Sequence, residues 1–108
     1  MNQVICVYSS SSLRERKAEM DARSNAFIAL PGGYGTLEEI LEIITLKQLK
    51  YHCKPIVILN ANHFYDKLLE QFELITNQNF AKTDSHNLYF VTENIKSALE
   101  YIDSYQPC

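Results

Sequence analysis

The sequence predicts an α/β domain built on a parallel sheet of about four strands with crossover helices. Four short β-rich segments are apolar along most of their length instead of alternating with polar residues, as is typical of strands covered on both faces. Segments with the apolar spacing of amphipathic helices follow three of them, and the connections are short. Strands and helices that alternate in this way favour parallel pairing, because each crossover returns the chain to the same end of the sheet.

Each element is predicted from its own segment. Strands are predicted at 4–9, 26–30, 55–59 and 88–91, where the sequence reads VICVYS, AFIAL, PIVIL and LYFV. Helices are predicted at 37–49, 64–76 and 93–105, where apolar residues recur at helical spacing. Asn62 is predicted to cap the helix at 64–76. The segment 9–25 has roughly the minimum length for a crossover that contains a further helix.

The composition excludes several classes of protein. A chain of 108 residues suits a single domain, and 46% hydrophobic with 21% charged residues is ordinary for a globular protein. A net charge of −3 argues against a protein that mainly binds nucleic acid. No segment has the apolar length of a membrane span or the pattern of a secretion signal. We therefore expect a cytoplasmic protein with no nucleic-acid or membrane partner.

The cysteines and histidines predict neither disulfides nor a metal site. Cys6, Cys53 and Cys108 are odd in number and have no paired spacing, so we expect free thiols. The histidines form no ligand motif with them. We therefore expect no metal.

All three glycines of the chain lie in one decapeptide, LPGGYGTLEE at 30–39. It follows the predicted strand 26–30, at the carboxyl edge where open α/β sheets bind ligands. Glycines there permit positive φ and leave no Cβ in the way of an oxyanion, and a helix beginning at Thr36 would offer free N–H groups to a phosphate. A structural reading has about equal weight, because Thr36 and Glu39 have the spacing of a capping box.

Three segments together resemble the LOG ("Lonely guy") family of cytokinin riboside 5'-monophosphate phosphoribohydrolases, long mislabelled as lysine decarboxylases. They are RKAEM at 16–20, NAFIALPGGYGTLEEILEIITLKQL at 25–49 and KPIVILN at 54–60. The resemblance implies a Rossmann-like homodimer that hydrolyses the N-glycosidic bond of a nucleoside 5'-monophosphate to a free base and ribose 5-phosphate. It implies no metal or organic cofactor. The decarboxylase label would imply pyridoxal phosphate, for which the sequence has no lysine-bearing motif.

The same resemblance assigns roles to individual residues. Arg16 and Glu39 match the residues implicated in catalysis in the family. The substrate-binding positions fall on Arg16, Lys17, Gly33, Tyr34, Gly35, Thr36, Leu37, Glu38, Glu39 and Thr45. Cleavage of the C1'–N bond builds positive charge on the ribose. The carboxylate of Glu39 can either stabilise this charge or orient the attacking water. Arg16 can hold the phosphate by two parallel hydrogen bonds or support the departing base.

The chain departs from the family pattern between its first strand and the Arg-Lys pair. Strand 4–9 runs almost directly into LRERKAEM at 13–20, where the family has further strands and helices, a second glycine-rich loop and an acidic substrate-binding residue. The chain therefore looks like a single LOG-like domain, 1–108, that lacks part of the family's N-terminal half. If right-handed crossovers join its strands in simple order, we expect the helices on one sheet face only. The other face and the edge of the first strand would be exposed, which favours dimerisation, aggregation or reduced stability.

Three functions from different classes stay open at this stage. The first is a phosphoribohydrolase that uses Arg16 and Glu39. The second is a nucleotide- or phosphate-binding module without catalysis, because the missing loop helps to build the family's pocket. The third is a remnant that only associates with itself or with a full-length relative. Base release, binding without release, and association without binding would distinguish them.

Overall fold

The computed structural model describes residues 5–8, 23–80 and 87–107. Within these ranges the chain forms a four-stranded sheet in the order β1-β2-β3-β4, and every neighbouring pair is parallel. The strands are β1 (Ile5–Tyr8), β2 (Ala26–Ala29), β3 (Ile56–Leu59) and β4 (Phe90–Thr92). The predicted α/β class and the parallel sheet are therefore confirmed.

The helices are α1 (Tyr34–Gln48), α2 (Asp66–Asn77) and α3 (Ile95–Ser104), and a short 3-10 turn, Ala61–His63, precedes α2. All three predicted helices are present, and α1 begins at Tyr34 instead of at 37. The start of α3 is capped by Asn94, whose Oδ1 accepts a hydrogen bond from the Ser97 N–H at 2.8 Å. No helix in the described part of the chain is long and apolar enough to cross a bilayer.

The sheet divides the core into two layers, one on each face. The layer that contains α1 comprises Cys6, Tyr8, Phe27, Ala29, Ile40, Ile43 and Ile56. The opposite layer comprises Ala26, Ile28, Val57, Ala98 and Ile102, the last two from α3. Successive residues of β2 thus alternate between two buried faces, which explains why this segment is apolar throughout.

The prediction that the helices lie on one face only was wrong. α3 packs on the face opposite to α1, where it contacts β3 and β4. The handedness rule applies only to helices that connect two parallel strands. Because α3 follows the last strand of the described sheet, the rule does not determine on which face of the sheet α3 packs. Apolar exposure remains at both edges of the described sheet, where Val7 of β1 is 47% exposed and Val91 of β4 is 39% exposed.

The prediction of free thiols was correct for one cysteine and wrong for another. Cys6 of β1 is a buried thiol that forms no disulfide. Cys53 is disulfide-bonded, whereas Cys108 lies outside the described residues. Sequence spacing does not reveal such a bond, because a disulfide depends on the separation of two Cβ atoms in space.

The cytoplasmic location expected from the sequence stays a prediction.

Candidate functional site

The glycine-rich segment lies at the carboxyl edge of the sheet, directly after β2. Its first residue, Leu30, donates its N–H to the carbonyl of Tyr8 at the end of β1, at 2.9 Å. The chain then turns through Pro31 and enters α1 at Tyr34. The start of α1 is therefore next to the ends of β1 and β2, at the edge where open α/β sheets bind ligands.

The N-terminus of α1 is open. Gly33 is the N-cap residue and has no side chain with which to cap the helix. The first hydrogen bond of the helix runs from the Leu37 N–H to the Gly33 carbonyl, at 3.2 Å. The N–H groups of Tyr34, Gly35 and Thr36 therefore have no carbonyl acceptor within the helix. Together with the positive end of the helix dipole, they favour an anion at this position.

Glycine at position 33 leaves free volume beside these N–H groups. A Cβ atom built on Gly33 would have no heavy atom within 4 Å. The positive φ that glycine permits is not adopted here: none of the three glycines has a positive φ, and Gly33 is extended, with φ −99° and ψ −156°. The glycine contributes the absence of a side chain, which keeps the approach to the helix N-terminus clear.

The predicted capping box is not formed. α1 begins two residues before Thr36, so Thr36 lies in the first turn of the helix instead of at its N-cap. Thr36 is 1% exposed, and its hydroxyl has no hydrogen-bond partner among the described residues. Buried hydroxyls are usually satisfied by protein, water or ligand. The structural reading of the motif as a capping box therefore loses its support, and a ligand at this turn is favoured.

Glu39 lies one turn after Gly35, on the side of α1 that faces the sheet. Its side chain is buried, at 6% exposure, next to the core residue Ile40, whereas the neighbouring Glu38 is exposed. Carboxylates are seldom buried to this degree without a specific partner or a function. The structure thus places a buried carboxylate about 6 Å along the helix axis from Gly35, near the open N-terminus.

The remaining predicted residues are not all brought together. Tyr34 is 92% exposed and Leu37 is half-buried. Thr45 is nine residues after Thr36, which places it about 14 Å further along the helix. Its hydroxyl donates to the carbonyl of Leu41 at 2.8 Å. The structure therefore places the predicted residues between Gly33 and Glu39 in one region, and Thr45 lies apart from them. The predicted Arg16 and Lys17 lie outside the described residues.

Thr45 instead lines a groove between α1 and α2, which we call the α1–α2 groove. Its cavity has a volume of about 160 Å³. It is lined by Leu41, Ile44, Thr45, Gln48, Phe72, Ile75, Thr76, Leu88 and Tyr89. Most of these side chains are apolar, so the groove is unsuited to a phosphate.

A second cavity, of about 510 Å³, lies between α2 and β4 and is acidic. Asp66, Glu70 and Glu73 line it together with apolar side chains. Burial, together with the nearby charge of Glu73, raises the pKa of Tyr89, which also lines this cavity. Three carboxylates disfavour an anionic ligand here, which leaves the start of α1 as the preferred anion site. Among the described residues, no group of three or more acidic, histidine or cysteine side chains could hold a metal ion.

Sequence reasoning missed a pair of residues that support the glycine-rich segment. The Tyr65 hydroxyl donates to the Leu30 carbonyl at 2.5 Å, although 35 positions separate the two residues. The Asn60 Oδ1 accepts the Tyr65 N–H at 2.6 Å, and the Asn60 Nδ2 donates to Asp66 Oδ1 at 2.8 Å. The prediction of Asn62 as the cap of α2 was wrong, because the side chain of Asn60 orders this turn and Asn62 has left-handed backbone angles. No local signal in the sequence indicates a contact of such separation.

Comparisons with known proteins show which family the chain resembles. The family model described as "Possible lysine decarboxylase" matches residues 2–102. "Cytokinin riboside 5'-monophosphate phosphoribohydrolase LOG4" of Arabidopsis thaliana is 41% identical over 98 residues, which cover 91% of this chain and 46% of that protein. "Probable cytokinin riboside 5'-monophosphate phosphoribohydrolase LOGL1" of Oryza sativa subsp. japonica is 44% identical over 95 residues, covering 88% and 43%. The chain thus spans less than half the length of these relatives.

Proposed function

The chain belongs to the LOG family, described as possible lysine decarboxylases, and on this premise we propose that it hydrolyses the N-glycosidic bond of cytokinin nucleoside 5'-monophosphates. The products are the free base and ribose 5-phosphate. The observation that supports the proposal most directly is the open N-terminus of α1, where uncapped N–H groups adjoin the free volume at Gly33. The names of the relatives supply the substrate class.

The phosphate is proposed to bind at the first turn of α1. The N–H groups of Tyr34, Gly35 and Thr36 donate to its oxygens, and the Thr36 hydroxyl is a further donor close by. Arg16 and Lys17, assigned from the family resemblance, supply the positive charge that offsets the ligand and the carboxylates of α1.

Glu39 is the proposed catalytic carboxylate. As the C1'–N bond breaks, the electron pair leaves with the base and positive charge builds on the ribose ring. A carboxylate held in a buried position interacts strongly with that charge, because little water screens it. Water then adds to C1', its oxygen forming the new bond, and a proton passes to the base nitrogen. Arg16 is proposed to hold the phosphate or to support the departing base.

The proposed partner is a second copy of the chain. Thr45 lies about 14 Å along α1 from Thr36, so it does not reach a ligand at the start of its own helix. A homodimer packed through the α1–α2 groove would instead present Thr45 to the site of the partner, and it would cover the exposed Leu41. Sedimentation of the purified chain tests this, because Leu41→Glu should convert a dimer to a monomer. A wild-type chain that sediments as a monomer while it releases base contradicts the dimer.

The decisive experiment for the activity is base release from adenosine 5'-monophosphate and its N6-substituted analogues. Glu39→Gln should lower the rate at least about a hundredfold, within the range of acid–base and electrostatic contributions, and should leave nucleotide affinity nearly unchanged. Glu42→Gln, an exposed carboxylate of the same helix, is the matched control and should retain the rate. A wild type that is folded by circular dichroism and binds nucleotide without releasing base would refute the hydrolysis and indicate a binding module.

A further inference from the structure

We propose that Tyr65 is a positioning residue for the phosphate site, because its hydroxyl holds the Leu30 carbonyl and so sets the course of the glycine-rich segment into α1. The inference rests on the proposed function, since it concerns the same site. Tyr65 lies after β3 in the chain, just before α2, and nothing in its sequence neighbourhood connects it with that motif.

Both backbone polar groups of Leu30, its N–H and its carbonyl, are hydrogen-bonded. Its N–H donates to the Tyr8 carbonyl of β1 at 2.9 Å, and its carbonyl accepts the Tyr65 hydroxyl at 2.5 Å. The two bonds fix the peptide groups on either side of Leu30. Pro31 follows, and its ring restricts φ, so the fixed orientation is passed on to the residues before Gly33.

Tyr65 itself is rigidly placed. The residue is 2% exposed, and its ring meets that of Phe64 edge to face, with centroids 4.9 Å apart. Its N–H is held by the Asn60 side chain, and the Asn60 N–H donates to the Thr92 carbonyl of β4 at 2.7 Å. Hydrogen bonds therefore run from β4 through Asn60 and Tyr65 to Leu30, along the carboxyl edge of the sheet.

The backbone before Tyr65 is strained in a way that fits this role. Asn62 and His63 are consecutive non-glycine residues with φ values of 54° and 59°. Left-handed conformations of such residues are unfavourable, and they persist where the surrounding structure enforces them, often at functional sites. Burial also raises the pKa of Tyr65 above its ordinary value, so its hydroxyl remains a donor to higher pH than that of an exposed tyrosine.

The experiment compares Tyr65→Phe with Tyr101→Phe in the full chain. Both changes remove one hydroxyl from a tyrosine ring that packs against another aromatic ring, but Tyr101 lies on α3, on the opposite face of the sheet, where it stacks on Phe90. Calorimetric titration measures the affinities for adenosine 5'-monophosphate, ribose 5-phosphate and adenosine. Tyr65→Phe should weaken the two phosphorylated ligands about three- to tenfold, as expected for one lost hydrogen bond, and should leave adenosine unchanged. Tyr101→Phe should change none of them.

A second variant tests the route from Tyr65 to the site. Pro31→Ala keeps the Tyr65 hydroxyl but loosens the residue that follows Leu30, so it should give the same phosphate-selective loss. Because both changes act through one segment, the double variant should lose less affinity than the product of the two single losses. Amide hydrogen exchange at Leu30 and Leu37, whose N–H groups are hydrogen-bonded in the wild type, should be faster in each variant.

Each outcome decides between the two proposals. Unchanged affinity in folded Tyr65→Phe overturns the positioning role and leaves the proposed function intact. An equal loss for adenosine indicates general loosening and also overturns it. A phosphate-selective loss in a chain whose wild type releases no base supports the positioning role while the hydrolysis fails. A wild type that binds none of the phosphorylated ligands overturns both proposals.

Discussion

Gly33→Ala separates the stability of the domain from its proposed ligand binding. The added methyl group has no heavy atom within 4 Å, and the backbone of Gly33 is extended, with φ −99°, which alanine adopts readily. Alanine is a poorer N-cap than glycine by roughly 0.5–1 kcal/mol. Replacing glycine by alanine also lowers the conformational entropy of the unfolded chain, which stabilises the folded state by about 0.4–1 kcal/mol. We therefore expect the free energy of unfolding to change by less than about 0.5 kcal/mol, or a shift in Tm of less than about 4 °C.

Ligand binding should respond very differently. The methyl group occupies the free volume beside the first N–H groups of α1, where the phosphate is proposed to lie. The affinity for adenosine 5'-monophosphate should therefore fall at least about tenfold, which corresponds to about 1.4 kcal/mol. Thermal unfolding followed by circular dichroism gives the stability, and calorimetric titration gives the affinity.

Asn94→Ala is the matched control, because it alters the start of α3 instead of α1. It removes the hydrogen bond from the Ser97 N–H to Asn94 Oδ1 and should cost about 0.5–2 kcal/mol of stability. Nucleotide affinity should not change. If Gly33→Ala binds nucleotide like the wild type, the phosphate does not lie at the N-terminus of α1 and the reasoning is refuted.

Two further predictions concern stability. Asn60→Ala should lower the free energy of unfolding by about 1–3 kcal/mol in urea denaturation, because it leaves the buried Tyr65 N–H without its acceptor; a loss below about 0.5 kcal/mol would contradict this role. Raising the pH above 10 should also destabilise the domain, since burial raises the folded-state pKa of Tyr65 and Tyr101 above the ordinary tyrosine value of 10.0. The unfolded chain then loses these protons first, so stability is complete below pH 10 and falls as the pH approaches the folded-state values. Urea denaturation of Tyr101→Phe should show a smaller alkaline loss than the wild type, and an equal loss would mean that Tyr101 does not contribute.

Local patterns in the sequence were sufficient to predict the strands, the helices and the place of the motif. Apolar segments such as 55–59 indicate strands covered on both faces, because burial on two sides leaves no position for a polar residue. Helical spacing located α1, α2 and α3, and the three glycines marked the turn after β2. These features depend on neighbouring residues, so they can be inferred from local pattern. The family, too, was indicated by the segments at 16–20, 25–49 and 54–60 taken together.

How the elements pack against one another could not be inferred from these local patterns. The face on which α3 packs and the buried position of Glu39 depend on how the helices lie on the sheet. The bond between Tyr65 and Leu30 joins residues 35 positions apart. Periodicity reports which side of an element is apolar, but it carries no information on which distant residue that side will contact. That choice is made by packing, in which the whole chain takes part.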